Sequence, residues 1–322
     1  HQRTPPVGRH MRVFVTGAAG FIGSCVCELL LHQGAEVVAF DNFSTGYTRI
    51  DGAEIVEGDV RNFDEVLSAM SGCTHIAHLA AMASVPASVA DPALSEAINL
   101  QGTLNVIEAA HQVGVKRIVF SSTAAVYGNA TELPVTESTV TQCQSPYAED
   151  KLAAEIAILH SGIEAISLRY FNVYGPRQDP NGPYAAVIPI FIQMLIDKKS
   201  PTIFGTGEAT RDFVSVFDVA ELNLKALTTE NEAALGEVYN VASGSSISVL
   251  KLFTTLRELL AVDDPEIQAV EPLFTAPREG DILHSSSSIE KARELLGFEP
   301  DNTSKGLSFT LRWWAVFQAQ RT

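Results

Sequence analysis

Tyr147 and Lys151 stand four residues apart, Tyr147-Ala148-Glu149-Asp150-Lys151, just after Pro146. On a helix that spacing is close to one turn, so a phenol and an ammonium share a face. Such a pair on a surface is ordinary. Beside a hydroxyl at the end of the preceding strand it becomes a proton-handling pair, the phenol as base and the cation favouring its ionised form. The strand Arg117-Ile118-Val119-Phe120-Ser121 leads into Ser122 and Thr123, which carry hydroxyls. A second signature is Gly17-Ala18-Ala19-Gly20-Phe21-Ile22-Gly23, where the strand Arg12–Thr16 runs into three glycines and then a helix. Gly17 permits the tight turn, Gly20 lets backbone approach a pyrophosphate, and Gly23 lets the helix lie close to the strand. The free N–H groups and positive dipole end of that helix face an anion. Asp41 closes the next strand, Glu36-Val37-Val38-Ala39-Phe40, near the distance expected of a carboxylate gripping an adenosine ribose. It would repel a 2′-phosphate, so the cofactor is expected to be NAD rather than NADP.

These groups need a scaffold, and the chain spells one out. Ile22, Cys25, Val26, Leu29 and Leu30 make one helical stripe, stopped by Gly34. A loop over Asn42 to Gly52 follows, then a strand at Glu54–Glu57 closed by Gly58-Asp59-Val60-Arg61. Asp59 can accept from an adenine amino group or cap the helix begun by Asp64 and Glu65. Next come the strand His75–Leu79, the small-residue turn Ala80–Ser84, to which something must approach closely, and a long helix from Pro92 to Val113. This alternation predicts an α/β fold with a doubly wound parallel Rossmann sheet. Ligands then lie beyond the carboxyl ends of the strands, with Ser122, Thr123 and Tyr127 on that side. Residues 11–175 are expected to form the NAD-binding domain, with strands near 213–219 and 237–242 returning to it. Residues 176–322 are expected to form a second, smaller α/β substrate domain, and residues 1–10 read as an expression remnant outside the fold.

With 322 residues the chain can bury a large core. It has no apolar run of 18 residues, hence no expected membrane span. The net charge of −16 argues against a nucleic-acid partner. Cys25, Cys27, Cys73 and Cys143 form no CxxC or Cys/His ligand pattern and read as reduced thiols of a cytoplasmic protein. His78, His111, His160 and His284 lack metal-ligand spacing, so no metal is expected.

Thr16-Gly17-x-x-Gly20-Phe21-Ile22-Gly23, Ser121-Ser122-Thr123 and Tyr147-x-x-x-Lys151 resemble the extended short-chain dehydrogenase/reductases. Leu168-Arg169-Tyr170-Phe171-Asn172-Val173-Tyr174-Gly175-Pro176-Arg177, Arg211-Asp212-Phe213-Val214 and Arg278-Glu279-Gly280-Asp281 narrow the likeness to the nucleotide-sugar epimerase and dehydratase branch, and within it to the UDP-hexose 4-epimerases. The resemblance implies that Tyr147 removes the proton from the sugar 4-hydroxyl while NAD takes the C4 hydride, with Thr123 bonded to the same sugar oxygen. It implies a cofactor site of Gly17, Gly20, Phe21, Ile22, Gly23, Asp41, Asn42, Asp59, Val60, Leu79, Ala80, Ala81, Asn99, Ser121, Tyr147, Lys151 and Tyr170. Arg211 and Arg278 would bind the diphosphate as bidentate guanidinium pairs. Asn172 would meet the diphosphate or sugar. Ala186, Val187 and Ile188 with Thr202 and Phe204 would hold the uracil, Ser84 would touch the sugar, and Asp281 belongs to the same set. The resemblance also suggests a homodimer paired through the helices near 99–111 and 147–159.

A phenol with a pKa of about 10 needs roughly 4 kcal/mol to act as a base near pH 7. Lys151 at roughly 5 Å supplies about 3 kcal/mol at an effective dielectric near 20, so bound NAD is expected to complete the shift. Ala124 and Ala125 stand where dehydratases of this branch carry an Asp-Glu pair, which excludes dehydration. Ala83 stands where glucose-type epimerases carry a lysine near the cofactor phosphates. Ser285 stands where a bulky tyrosine would exclude a 2-N-acetyl group, so both the glucose and the N-acetylglucosamine series are expected substrates. The competing readings are a uronate-type epimerase or decarboxylase and a catalytically silent NAD sensor.

Overall fold

The structure, a computed structural model, describes residues 10–182 and 184–319, so all but His10 of the expected remnant lies outside the described residues. Its strands are β1 (Arg12–Thr16), β2 (Glu36–Asp41), β3 (Glu54–Glu57), β4 (His75–His78), β5 (Arg117–Thr123), β6 (Glu164–Tyr170), β7 (Asn172–Tyr174), β8 (Thr202–Phe204), β9 (Thr210–Ser215), β10 (Glu237–Val241), β11 (Ser246–Ser248) and β12 (Leu273–Thr275). Seven of them form one sheet in the order β3-β2-β1-β4-β5-β6-β10, every neighbouring pair parallel. β1 and β2 carry continuous apolar centres, and β5 is buried over all but its last residue, because helices cover both faces of the sheet. The strand order reverses between β1 and β4, which opens a crevice at their carboxyl ends.

The helices are α1 (Phe21–His32), α2 (Phe63–Ala69), α3 (Val85–Ala90), α4 (Pro92–Glu96), α5 (Gly102–Val113), α6 (Pro146–Leu159), α7 (Val187–Ile196), α8 (Val216–Thr228), α9 (Val249–Ala261), α10 (Glu290–Leu296) and α11 (Thr303–Ala319). One face of the sheet packs against α1, α8 and α10 through residues such as Val26, Leu30, Val219, Leu222 and Ala292. The other packs against α2, α5 and α6 through Val66, Val106, Ala109 and Ile158. A separate core joins α7, α9 and α11 to β8 and β9 through Phe191, Leu195, Ile203, Phe213, Phe253 and Leu307. That second core gathers only part of the chain after residue 175, because α8, β10 and α10 pack with the main sheet instead.

Two expectations change. The strand near 213–219 does not return to the main sheet. Residues 210–215 are β9, which pairs with β7 and antiparallel with β11 in a sheet of its own, while 216–228 is α8 lying against α1. β10, at 237–241, does pair with β6. The single helix expected over 92–113 is split: between α4 and α5, residues Ala97–Gln101 widen into a π-helical turn. Such a turn re-aims the side chains it carries and is frequent at functional sites. Here it carries Asn99.

Candidate active site

One cavity of about 470 Å3 runs along the crevice from Asp41, Asn42, Asp59 and Val60, past the glycine turn, to Ser121, Thr123, Tyr147, Lys151 and Tyr170. Gly17 has φ +69°, and a Cβ there would meet the Ala80 nitrogen at 2.8 Å. Gly17 itself is therefore what approaches the small-residue turn. At Gly23 a Cβ would lie 2.0 Å from the Gly17 carbonyl oxygen, which is the close helix–strand contact. At Gly20 a Cβ would find protein no nearer than 3.4 Å; the space before it is cavity. Gly20 is also the N-cap of α1 and has no capping side chain. The first N–H groups of α1 are left to an anion at that wall.

The end of the cavity at Asp41 and Asp59 holds its carboxylates by hydrogen bonds. Asp41 accepts from the Ala19 N–H at 2.9 Å and the Phe43 N–H at 2.8 Å, so it ties the glycine turn to its own loop. Asp59 accepts from Arg61 Nη2 at 2.7 Å and Nε at 3.0 Å, and from Asn42 Nδ2 at 3.1 Å. The Arg61 guanidinium holds that carboxyl far below the usual carboxylate range. α2 is capped by Asn62, whose Oδ1 accepts from the Glu65 N–H at 3.2 Å, so Asp59 is not the cap.

Leu79, Ala80 and Ala81 form the opposite wall. Asn99, expected beside the cofactor, lies behind that wall instead and is 1 % exposed. Its amide accepts from the Met82 N–H at 2.9 Å and donates to the Met82 carbonyl at 3.2 Å. The π-helical turn places it there, and it acts on the cavity through the loop it clamps.

At the other end β5 and α6 bring Thr123, Tyr147 and Lys151 together. Burial raises the Tyr147 phenol, and a hydrogen bond with Thr123 opposes that. Lys151 is 3 % exposed, donates to the Ser121 carbonyl at 2.5 Å, and lies 4.4 Å over the Phe120 ring. Burial brings its pKa down to about 7, with Glu155 pulling the other way. The expected gift of about 3 kcal/mol from Lys151 to the phenol is therefore reduced. Without a cofactor the proton stays on Tyr147. Tyr170 bonds Ser121 Oγ at 2.7 Å and accepts from Asn223 Nδ2 at 2.8 Å, while Tyr127 lines the neighbouring cavity and its hydroxyl donates to Asn240 and accepts from Arg169.

A second cavity of about 530 Å3 shares Ala83, Thr123, Tyr147, Tyr170 and Phe171 with the first. Asn172, Arg211, His284 and Ser285 complete it from far along the chain. Its wall beside Thr123 is Ala124 and Ala125, and Ser285 reaches it because its N–H bonds the Thr210 carbonyl at 3.2 Å. Burial lowers the Arg211 guanidinium, and Asp281 partly offsets this. Ser84 stays outside both cavities as the cap of α3, accepting from the Ala87 N–H at 3.1 Å. Ala186 and Val187 open α7, and Ile188 is buried in its core, so that side chain meets no ligand. Thr202 and Phe204 lie on β8, and Arg278 stacks over the Phe204 ring at 3.9 Å on an open surface.

Ser122 is expected on the ligand side, whereas Arg177 and Asp212 carry no clear signal of their own in the sequence. Ser122 Oγ is buried beside the first cavity without a partner, a polar atom waiting for a ligand. Arg177 lines the same cavity and bonds Ser24 Oγ and Glu28 on α1. Asp212 is fully buried and accepts from Ser243 N–H at 2.7 Å, Ser243 Oγ at 2.6 Å and Gly244 N–H at 2.9 Å, so it braces the turn beside β11 rather than a ligand. Arg177 and Asp212 belong to the runs Leu168–Arg177 and Arg211–Val214, and that membership is their only signal. The uncapped helix, the glycine cradle and the orphaned Ser122 hydroxyl fit a dinucleotide.

A parallel doubly wound sheet with this cradle and a Tyr-Lys pair at its carboxyl end defines an NAD-binding enzyme fold. Residues 13–242 match the model of the NAD dependent epimerase/dehydratase family, and the chain belongs to that family. It is 35% identical over 318 residues to UDP-glucose 4-epimerase of Mycolicibacterium smegmatis, covering 94% of this chain and 98% of that protein. Among solved structures it resembles UDP-glucose 4-epimerase of Thermotoga maritima with UDP-glucose, with TM-score 0.87, 34% identity and coverage of 97% and 100%. It is equally similar in fold to UDP-N-acetylglucosamine 4-epimerase of Methanobrevibacter ruminantium M1 in complex with UDP-N-acetylmuramic acid, with TM-score 0.87, 33% identity and coverage of 96% and 99%. Among the described residues there is no metal-ligating cluster and no helix long and apolar enough to cross a membrane.

Proposed function

We propose that this protein is an NAD-dependent UDP-hexose 4-epimerase, acting on UDP-glucose and UDP-galactose and on UDP-N-acetylglucosamine and UDP-N-acetylgalactosamine. The observation that carries this is that Thr123 and Tyr147 line both cavities, so one proton-handling pair borders a dinucleotide groove on one side and a hexose-sized space on the other. Bound NAD supplies the hydride acceptor and donor at C4. Tyr147 takes the proton of the 4-hydroxyl and later returns it, and Thr123 hydrogen-bonds the same oxygen. Gly17, Gly20, Gly23, Asp41 and Asp59 hold the dinucleotide. Arg211, Arg278 and Asn172 anchor the diphosphate, and Phe204 offers a stacking face for the uracil. The wall beside Thr123 is Ala83, Ala124 and Ala125, whose side chains grip no sugar hydroxyl, and this leaves a ketose room to turn over before reduction. Those alanines provide no acid or base for dehydration.

The same reading makes the protein a cytoplasmic homodimer. α5 and α6 leave Leu104 and Ile156 exposed at 39% and 50%, apolar positions for pairing across a twofold axis. Light scattering tests this directly. For the activity, the purified protein is incubated with UDP-glucose and with UDP-N-acetylglucosamine without added cofactor. Interconversion is expected, and absence of reaction even with NAD added overturns the assignment.

A further inference from the structure

His78 closes β4 and is 1 % exposed, with both ring nitrogens engaged. Nδ1 lies 2.6 Å from Thr16 Oγ1 and Nε2 lies 2.9 Å from Thr103 Oγ1. The proton positions follow from counting. Thr16 Oγ1 already accepts from the Leu79 N–H and the Ala80 N–H, each at 3.0 Å. A hydroxyl has two acceptor lone pairs and one proton, so Thr16 must donate that proton to Nδ1. Nδ1 is then an acceptor, and the neutral ring carries its hydrogen on Nε2. Thr103 Oγ1 donates its own proton to the Asn99 carbonyl at 2.8 Å, which leaves it free to accept from Nε2–H.

We infer that His78 is a positioning residue of the dinucleotide site, fixed as the neutral Nε2–H tautomer, that sets the distance between the glycine turn and the Leu79–Met82 wall. Thr16 immediately precedes Gly17, and Thr103 follows the π-helical turn whose Asn99 clamps Met82. Thr16 itself holds the Leu79 and Ala80 end of the wall, and the imidazole ties Thr16 to Thr103 and so to the Met82 end. The gap it governs is narrow, because a Cβ on Gly17 would already meet Ala80 at 2.8 Å. The charges around the ring agree: its face stacks on Phe120 at 5.7 Å, and Lys151 sits 4.4 Å over that same phenylalanine. Burial first, and Lys151 second, push the imidazole down to about 3.

This inference rests on the first cavity being the dinucleotide site, and the test separates the two. In protein labelled with 15N-histidine, the His78 resonances, assigned by loss in His78→Phe, should show a bare Nδ1 and a protonated Nε2 unchanged from about pH 5 to 8. An Nδ1–H tautomer, or titration near the ordinary histidine value, overturns it. NAD and UDP affinities are then measured by calorimetry for the wild type and His78→Phe, which keeps the ring stack but loses both bonds. NAD affinity should weaken about tenfold while UDP affinity stays within about twofold. Unchanged NAD affinity, or an equal loss for both ligands, overturns the positioning role. Thr103→Val removes the acceptor of Nε2–H without touching the ring and should reproduce the selective loss, which keeps the test alive if His78→Phe does not fold. A wild type that binds UDP but not NAD overturns the cofactor reading beneath it.

Discussion

Lys151 donates its ammonium hydrogen to the backbone carbonyl of Ser121 at 2.5 Å, inside a pocket that leaves the lysine 3 % exposed. Its charged form is desolvated, and its pKa falls from 10.5 to about 7. In the unfolded chain the same lysine binds a proton up to about pH 10.4. Between these values the unfolded state holds more protons, so stability rises with pH. The full difference corresponds to on the order of 4 kcal/mol. Urea unfolding of cofactor-free protein should show wild-type stability gaining on Lys151→Met as pH rises from about 7 to 9.5. A gap that stays constant would place the lysine in water-like surroundings.

Tyr147 is raised by burial in the cofactor-free protein, with only the Thr123 hydrogen bond opposing. Binding of NAD is expected to lower it. Difference absorbance, with Tyr147→Phe subtracted, should show phenolate appearing well below pH 10 only when NAD is bound. Equal titration with and without NAD refutes this. Tyr147→Phe itself should lower kcat by at least about a hundredfold, within the usual range for a lost acid–base group.

Gly20 and Gly23 make a matched pair. A methyl at Gly23 would lie 2.0 Å from the Gly17 carbonyl oxygen, whereas one at Gly20 meets protein only at 3.4 Å. Gly23→Ala should therefore destabilise the fold by about 3 kcal/mol. Gly20→Ala should leave Tm within a few degrees and weaken NAD binding at least tenfold, because its methyl occupies the dinucleotide's space. Thermal melts and calorimetry on both variants check the contrast.

Ser285 faces the cavity shared by Thr123 and Tyr147. Ser285→Tyr should abolish turnover of UDP-N-acetylglucosamine while keeping that of UDP-glucose within about tenfold. The ratio of the two kcat/KM values is the measurement. Wild-type protein inactive on the acetylated pair would disprove the assigned breadth.

Signatures whose parts lie close together in the chain are legible in the amino-acid sequence alone. A strand, a glycine turn and a helix must meet within a dozen residues, and a Tyr-x-x-x-Lys pair shares a helical face by periodicity alone. Strand–helix alternation likewise implies the parallel sheet, because parallel neighbours require crossovers. Tertiary packing decides the rest. It sends β9 into another sheet, turns Asn99 behind the Leu79–Ala81 wall through a π-helical turn, and gives Asp59 to Arg61. It brings Asn172, Arg211 and Ser285 to one cavity, and it buries Lys151 deeply enough to bring its pKa down to about 7. Hydrophobic spacing records which face of an element is buried. It does not record which distant element covers that face, and desolvation and long-range hydrogen bonds depend on that covering element.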